Sequence, residues 1–287
     1  MAPPRESGRE MKLIRSSNLG YVGQLRYIQT IHEPRERRNP DDLIQYFFPV
    51  LERWRYRFLS RKELDHLRSQ PFYYYLLART RYYDRVFSEA IASNVQHIVN
   101  IGCGSDTRAH RFGIALNGKG INVLECDLPQ AILVKRRMAK RLGGAAHIQY
   151  APLDLNDNSW PDFRRWLDEV GDAKVMVMME GVSPYVDAES FGRFLEYLGA
   201  KLSRGSLVAY DFKLSGVADN FGRPDGAEST FRLPHSRDQV LAYHRQRGFQ
   251  LEHMEPSWEL EARLLPELAD AGIAVFRQDG LVRIQVE

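Results

Sequence analysis

The sequence predicts an α/β protein with a doubly wound, mostly parallel seven-stranded sheet and a helical lobe before it. From Val95 onward, short apolar runs rich in β-branched residues alternate with longer helix-compatible segments, as in strands joined by crossover helices. The first run, Val95 to Ile101, breaks at Gly102-Cys103-Gly104 before a helical segment. A strand, a glycine turn and a helix in that order form a nucleotide-type crevice at the carboxyl end of a parallel strand.

The first seventy residues are predicted to form a separate lobe. Residues 1 to about 10 are expected to be a disordered tail, and residues 11–70 read as several helices. Ser60 and Glu63 have the spacing of a capping box that begins one of these helices. Aromatic side chains are expected to pack this lobe onto a larger body: Tyr46, Phe47, Phe48, Trp54, Tyr56 and Phe58. We therefore expect residues 1–70 to be a tail and a helical lid or substrate lobe, and residues 71–287 to be the main domain.

The main domain is predicted to begin with a helix from Pro71 to about Ser93. The predicted strands are Val95–Ile101, Ile121–Cys126, His147–Ala151, Lys174–Met179, Ser206–Lys213, Gln250–Glu255 and Leu281–Val286. The helices between them are predicted at Thr107–Leu116, Pro129–Leu142, Trp160–Val170, Asp187–Ser203, Ser236–Arg247 and Leu260–Ala271. The polar, glycine-rich segment 214–235 is expected to be a substrate loop, because loops on a rigid sheet often contact the ligand.

The glycine turn separates two classes of nucleotide-like cofactor. The dinucleotide fingerprint needs a third glycine three residues after the second, where this sequence has Thr107. The shorter pattern Asn100-x-Gly102-x-Gly104 suits S-adenosylmethionine, which carries no pyrophosphate. A plain turn remains the alternative for a lone glycine pair.

Acidic residues recur where the predicted strands end: Asp127 after the second, Asp154 after the third and Glu180 after the fourth. The carboxyl ends of the strands line one crevice in a doubly wound sheet. Asp127 follows the glycine turn at the distance expected of a ribose-binding carboxylate. Asp154 beside Leu155 suits the adenine, as an acceptor next to an apolar wall. Each acid alone is explained by a helix N-cap, but the register with the glycine turn favours a cofactor site.

Composition excludes several classes of function. The formal net charge of +3 requires no nucleic-acid partner, and no apolar run is long enough for a membrane span, so we expect neither nucleic acid nor membrane as a partner. Two cysteines, Cys103 and Cys126, do not make a disulfide framework, and the start lacks a signal-peptide core, so we expect a cytoplasmic protein. No serine-hydrolase elbow, metal-ligand spacing or phosphate-binding loop with a lysine occurs, and no metal is expected.

Three motifs carry a family resemblance: Asn-Ile-Gly-Cys-Gly-Ser-Asp-Thr-Arg at 100–108, Leu-Glu-Cys-Asp-Leu-Pro at 124–129 and Met-Glu-Gly-Val-Ser-Pro-Tyr at 179–185. Together with Arg-Thr-Arg-Tyr-Tyr at 79–83, they resemble the leucine carboxyl methyltransferase family. This family is a branch of the Rossmann-like class I S-adenosylmethionine-dependent methyltransferases and includes bacterial polyketide O-methyltransferases. The resemblance covers residues 70–215 and is weak before them.

The resemblance implies S-adenosyl-L-methionine as cofactor and S-adenosyl-L-homocysteine as product. It implies that Arg79 or Arg81 binds the methionine carboxylate and that Glu180 lies near the cofactor's amino-acid end. It further implies that Gly102 and Gly104 form the floor of the site and that Asp127 binds the ribose. Asp154 and Leu155 would contact the adenine. The segments before residue 70 and within 214–235 depart most from the family, and these are the parts expected to meet the acceptor.

The acceptor's chemistry decides whether a general base is needed. A carboxylate, with a pKa of about 4, is already ionised, whereas a phenol, near 10, needs a base. No histidine falls inside a motif, and structural roles are favoured for His110, His235 and His244. We therefore expect O-methylation of a carboxylate by positioning and exclusion of water, with no assigned catalytic residue. Tyr82 and Tyr185 are the candidates to position the acceptor, although both also suit a core.

Several alternatives to this function remain open. The acceptor is expected to be a carboxylate on a small natural product of secondary metabolism. The alternatives are the C-terminal carboxylate of a protein and a hydroxyl group. The alternative to an enzyme is a protein of the same fold that binds the cofactor but catalyses no reaction. The intact glycine pair and the three strand-end acids speak against it, and the oligomeric state is not predicted.

Overall fold

The computed structural model of the protein describes residues 20–143, 145–217 and 230–287. The predicted tail, residues 1–10, lies outside the described residues. So does most of the predicted substrate loop, because residues 218–229 are not described. Within the described ranges, no helix is both long enough and apolar enough to cross a bilayer.

The fold is built on one mixed sheet. Its strands are β1 (His97–Ile101), β2 (Asn122–Asp127), β3 (Ile148–Pro152), β4 (Val175–Met179), β5 (Leu207–Leu214), β6 (Arg232–Leu233), β7 (Phe249–Pro256) and β8 (Asp279–Val286). The spatial order is β3-β2-β1-β4-β5-β8-β7, with β6 paired to β5 beside that path. Strands β1 to β5 pair in parallel, and β8 runs antiparallel between β5 and β7. The predicted doubly wound, mostly parallel sheet is confirmed, and the short β6 is an eighth strand that the sequence analysis did not predict.

The helices of the described chain cover both faces of this sheet and form the lobe before it. They are α1 (Gly20–His32), α2 (Val50–Arg57), α3 (Arg61–Ser69), α4 (Pro71–Ala92), α5 (Arg108–Arg111), α6 (Gly113–Lys119), α7 (Pro129–Ala139), α8 (Pro161–Val170), α9 (Ala188–Lys201), α10 (Arg237–Arg245) and α11 (Ser257–Leu264). The helix predicted over Thr107–Leu116 is two helices that meet next to Gly113, a poor helix former. The helix predicted over Leu260–Ala271 ends at Leu264, because Pro266 cannot continue it.

Two hydrophobic cores lie on opposite faces of the sheet. Neighbouring residues of β1 show the separation, since Ile98 belongs to the core that α4 covers and Val99 to the core that contains Phe163 and Phe194. Successive side chains of a strand point to opposite faces, so a strand buried on both faces must be apolar throughout. This requirement is why the short apolar runs predicted the central strands.

The N-terminal lobe is joined to α4 by buried polar contacts. The side-chain amide of Gln29 donates to the carbonyl oxygen of Tyr73 at 2.5 Å, and Asn39 Nδ2 donates to Thr80 Oγ1 at 3.3 Å. The predicted capping box is confirmed, since the backbone N–H of Ser60 donates to the Glu63 carboxylate and Glu63 N donates back to Ser60 Oγ. Buried polar groups that are paired in this way fix one orientation of the lobe on α4.

The predicted packing role of the lobe's aromatic residues is only half right. Phe47, Phe48 and Tyr56 are buried, but Tyr46, Trp54 and Phe58 are exposed. Tyr56 is the one buried residue of helix α2, so this helix contacts the core on a single side. The order of residues in α2 does not show which side that is.

The close contact between Gly199 of α9 and the backbone of Arg247 leads to a testable prediction about stability. A Cβ at Gly199 would lie 1.9 Å from the carbonyl oxygen of Arg247, so Gly199→Ala must push helix and backbone apart. We expect a loss of about 1–3 kcal/mol in the free energy of unfolding, measured by urea denaturation. Gly192→Ala in the same helix is the control, because its Cβ would meet no atom closer than the Tyr243 hydroxyl at 3.4 Å. An equal stability change in the two variants would contradict the close contact.

Candidate functional site

The glycine turn after β1 lies against the segment that follows β4. Gly102 has a φ of +68°, and a Cβ at this position would lie 2.4 Å from Cγ2 of Val182. Both the backbone conformation and the close contact therefore require glycine at position 102. Gly104 has a φ of +37°, but a Cβ there would meet no atom closer than 3.8 Å. The backbone of Gly104 is thus open on the side where a side chain would stand, and a ligand has room to approach it.

Asp127, at the end of β2, is held against this turn. Gly104 N donates to Asp127 Oδ2 at 2.7 Å, and the backbone N–H of Leu128 donates to Oδ1 at 2.7 Å. Each carboxylate oxygen can accept a second hydrogen bond. The structure therefore brings together two predicted site residues, Gly104 and Asp127, and leaves Asp127 able to accept from a ligand hydroxyl.

Glu180 follows β4 and accepts hydrogen bonds from three arginines. Arg26 Nη2 lies 2.5 Å and Arg79 Nε 3.2 Å from Glu180 Oε1, and Arg108 Nη1 lies 2.8 Å from Oε2. The Glu180 side chain is only 6% exposed. Burial alone would raise the pKa of Glu180, but the three guanidinium groups outweigh that effect and lower it to about 2. Glu180 is therefore a buried anion in a cationic surrounding.

Arg108 connects this carboxylate to the start of α5. Its guanidinium is fully buried and contacts Asp84 Oδ1 and Asp106 Oδ2 at 2.6 Å each. Its Nη2 also donates to the carbonyl oxygen of Thr80 at 3.1 Å. Arg108 belongs to the motif at 100–108, but no role was predicted for it from the sequence. Asp106, two residues earlier in the same motif, could have indicated an ion pair with Arg108.

Arg26 of α1 is the second arginine that sequence reasoning missed. It is buried, and its Nε has no hydrogen-bond partner in the part of the chain that the structure describes. A buried donor without a partner is costly, so such an atom at a site indicates a missing acceptor. No motif or spacing marked Arg26, because its partner Glu180 lies far away in the sequence.

Asp211 of β5 is a further site residue that was not predicted. Asp211 Oδ1 accepts from Gly181 N at 2.8 Å and from the Tyr83 hydroxyl at 2.9 Å. Arg79 Nη1 lies 3.6 Å from its other oxygen. Burial raises the pKa of Asp211 to about 6, although the charge of Arg79 opposes this. An acid two residues before Lys213 inside a largely apolar strand was the sequence signal that could have identified it.

A small pocket opens beside Arg79 and Asp211. Its lining combines apolar, aromatic and charged side chains: Val22, Phe72, Arg79, Gly181, Pro184, Tyr185, Asp211, Lys213 and Asp279. Lys213 and Asp279 form an ion pair, with Nζ to Oδ1 at 2.8 Å. The predicted candidate Tyr185 lies at this pocket. Among the residues described around it, none is a histidine.

Two predicted candidates lie outside the network around Glu180 and Asp211. Arg81 does not contact Glu180 in the hydrogen-bond network; its guanidinium donates to the carbonyl oxygens of Leu264 and Glu36. Tyr82 stacks on His253, with ring centroids 6.2 Å apart, while its neighbour Tyr83 contacts Asp211. Successive residues of a helix point in different directions, so only one of two adjacent tyrosines can face the crevice. Tyr83 contacts Asp211 and Arg79 contacts Glu180, whereas the site roles of Tyr82 and Arg81 stay predictions.

Asp154 and Leu155 lie after β3, as the sequence predicted. Asp154 Oδ1 accepts from Asn156 N at 2.9 Å, which is a local turn contact, and Leu155 is buried. This contact agrees with a structural role for Asp154 and leaves its other oxygen available. Contact with an adenine ring stays a prediction for both residues.

The histidines singled out in the sequence lie away from the pocket. His244 contacts the Tyr210 hydroxyl at 2.6 Å, and burial lowers its pKa to about 4. Burial also lowers the pKa of His110 to about 4, and His235 packs on Trp258. The two cysteines are free and buried. Across residues 20–143, 145–217 and 230–287, no group of three or more His, Cys, Asp or Glu side chains could hold a metal ion.

Comparison with known proteins gives consistent matches. The family model "Leucine carboxyl methyltransferase" matches residues 24–199. A Mycolicibacterium smegmatis protein named as an S-adenosyl-L-methionine-dependent methyltransferase is 28% identical over 233 residues, which cover 72% of this chain and 70% of the relative. A Mycobacterium marinum protein of the same name is 29% identical over 145 residues, which cover 50% of this chain and 45% of that relative.

Solved structures are more distant. The crystal structure of an S-adenosylmethionine-dependent methyltransferase from Mesorhizobium loti aligns with a TM-score of 0.45 and 19% identity, over 70% of this chain and 96% of that one. The fold assignment rests on the strand order and pairing described above.

The buried Glu180 cluster predicts a pH-dependent stability difference. A carboxyl whose pKa is lowered on folding adds stability above its ordinary value of 4.5, and this is lost as the pH falls through about 2. We expect Glu180→Gln to lower the free energy of unfolding by roughly 3 kcal/mol at pH 7, with a smaller deficit at pH 4. Urea denaturation at the two pH values measures both quantities.

The control is Glu189→Gln, since Glu189 is 80% exposed and pairs with Arg193 on the surface of α9. This variant should change stability by less than about 1 kcal/mol at either pH. A Glu180→Gln deficit that grows as the pH falls would contradict the assignment of Glu180 as a buried anion.

Proposed function

The chain belongs to the leucine carboxyl methyltransferase family and is an S-adenosylmethionine-dependent methyltransferase, and we propose that it methylates a carboxylate oxygen of a small-molecule acceptor. The product would be the methyl ester of a natural-product carboxylic acid, released with S-adenosyl-L-homocysteine. The observation that carries the choice of acceptor is the pocket beside Tyr185, which has no histidine among its described lining residues and in which two cations, Arg79 and Lys213, lie beside two acids, Asp211 and Asp279.

The residues of the crevice fit the cofactor by the chemistry of their donors and acceptors. Asp127 has free lone pairs for the two ribose hydroxyls, next to the open backbone of Gly104. Glu180 is ionised and suits an ammonium group, and the unpaired Nε of Arg26 suits a carboxylate. We propose that these three residues hold the ribose and the amino-acid part, with Asp154 and Leu155 at the adenine. When bound, S-adenosylmethionine supplies an electrophilic methyl group on a sulfonium sulfur.

The pocket supports catalysis by positioning. A carboxylate with a pKa of about 4 is ionised at neutral pH, so the protein has no proton to remove from it. Arg79 and Lys213 each lie beside a carboxylate of the pocket, Asp211 and Asp279, and a carboxylate acceptor would share these cations with them. Val22 and Phe72 provide apolar surface that excludes water. Alignment and desolvation of the two reactants are then the main contributions of the protein. Tyr185 is proposed to orient the acceptor from the rim of the pocket.

One observation favours a second candidate, methylation of a hydroxyl group. Asp211 lines the same pocket, and its pKa of about 6 is suited to accepting a proton at neutral pH. A hydroxyl acceptor would need such a base, whereas a carboxylate would not. The two candidates therefore differ in the stability of the product and in the dependence of the rate on pH.

Replacement of Arg79 tests the cofactor site through Glu180, because Arg79 Nε contacts Glu180 Oε1 at 3.2 Å and helps to position this carboxylate. We expect Arg79→Lys to weaken binding of S-adenosylhomocysteine by roughly ten-fold or more, because lysine cannot contact Glu180 and Asp211 together with one planar group. Isothermal titration calorimetry measures the dissociation constant. Arg81→Lys is the matched control from the same helix, since Arg81 contacts backbone carbonyls elsewhere, and it should bind as the unchanged protein does. Equal affinity in the two variants would remove Arg79 from the cofactor site.

The acceptor is tested by the chemistry of the product. We expect labelled methyl from S-adenosylmethionine to enter a small-molecule fraction of a cell extract and to be released as methanol by mild alkali, as methyl esters are. The rate should be independent of pH above about 7, because the carboxylate is fully ionised there.

Alkali-stable label in the product would contradict the ester and favour the hydroxyl acceptor. In that case Asp211→Asn should abolish transfer while S-adenosylhomocysteine still binds. Alkali-labile label on a protein band would instead identify a protein carboxylate as acceptor.

A further inference from the structure

Helix α2 exposes a stripe of large apolar side chains. Leu51, Trp54 and Phe58 are 82%, 58% and 70% exposed. Leu51 and Trp54 lie three residues apart on one side of α2. Phe58, the residue that caps the C-terminus of α2, continues the stripe, and its ring stacks on Trp54 at 5.6 Å. Tyr56, the buried residue of α2, lies on the opposite side. The helix thus presents its apolar side to the outside, the reverse of an ordinary surface helix.

Basic side chains border this stripe. Arg55 and Arg57 of the same helix are exposed. Arg141 Nη1 donates to the carbonyl oxygen of Tyr46, in the turn before α2, at 3.3 Å. This contact places Arg141 next to the segment that precedes α2, at the end of a second basic segment with exposed Arg136, Arg137, Lys140 and Arg141. In α2, the one acid is Glu52, which is half-buried. An apolar stripe with a basic border complements an anionic surface that also offers apolar depth.

We propose that α2 is an interfacial helix that docks the enzyme reversibly on an anionic lipid bilayer. Leu51, Trp54 and Phe58 would enter the boundary between headgroups and acyl chains, and Arg55 and Arg57 would contact lipid phosphates. This combination of Trp, Phe and Leu on one side with arginines at the border is that of helices that lie in the plane of a membrane surface. The proposal replaces the sequence expectation that no membrane takes part, and it does not depend on the acceptor.

A second copy of the chain is a poorer occupant of the same stripe. Two copies related by a two-fold axis would bring the same stripe and the same basic border to the interface. Arg55 and Arg57 of both copies would then lie in one interface, and like charges there oppose association. An anionic bilayer has the opposite charge at the same border, so charge complementarity selects the membrane.

Vesicle sedimentation with the full chain tests this assignment. We expect the protein to pellet with vesicles of equimolar phosphatidylglycerol and phosphatidylcholine, and to bind pure phosphatidylcholine vesicles roughly ten-fold less, since the basic border finds no net charge there. Binding to the anionic vesicles should fall as salt is raised. The double variant Trp54→Ala, Phe58→Ala should lose most of the binding. Ile114→Ala is the matched control, because Ile114 is 94% exposed on α6, and it should bind normally.

The fluorescence of Trp54 gives a local readout. Of the other tryptophans, Trp160 and Trp166 are buried and Trp258 is half-buried. A blue shift on adding anionic vesicles that is absent in Trp54→Phe, a variant that still sediments, therefore places α2 itself in the interface. Unchanged sedimentation of the Trp54→Ala, Phe58→Ala variant would overturn the proposal. A lack of binding to the anionic vesicles would also overturn the proposal. If the protein were then a dimer in analytical ultracentrifugation, and this variant a monomer, the stripe would be assigned to a second copy.

Discussion

The placement of Glu180 among three buried arginines is the interaction on which the rest of the site depends. Arg26, Arg79 and Arg108 come from α1, α4 and α5, and all three reach one carboxylate after β4. A buried ion cluster adds little net stability compared with apolar packing, but removing one partner leaves a charge without compensation. The four elements therefore have to keep one arrangement, and that arrangement positions the glycine turn, Asp127 and the pocket at the same edge of the sheet.

The N-terminal lobe is part of this site and not only a cover over it. Arg26 of α1 contacts Glu180, and Val22 of the same helix lines the pocket beside Arg79. The predicted domain boundary at residue 70 separates Arg26 from Glu180, which belong to one polar network. This boundary stays a prediction. A lid movement of the lobe would have to break the Arg26–Glu180 contact, and a ligand that offers its own carboxylate to Arg26 would lower the cost of that step.

Local pattern predicted the parts of the structure that local physics decides. The central strands follow from apolar runs that need burial on two faces, and the glycine turn follows from a backbone that only glycine adopts. Contacts between distant segments could not be predicted in this way: Arg26 and Glu180 are 154 positions apart, and no spacing rule joins them. The contact of Tyr83 with Asp211 could not be predicted for a related reason, because it depends on how helix α4 is rotated relative to the crevice. The exposed side of α2 likewise depends on what the lobe packs against.

The most direct test of this account is a crystal structure of the complex with S-adenosylhomocysteine. The account predicts the ribose hydroxyls on Asp127 beside Gly104, and the amino-acid part between Glu180 and the free Nε of Arg26. The pocket at Tyr185, with a volume of about 30 Å³ in the protein alone, should be wider in the complex so that it can admit an acceptor. A cofactor bound with its amino-acid end away from Glu180, or with no contact to Arg26 or Arg79, would contradict the central place given to the Glu180 cluster.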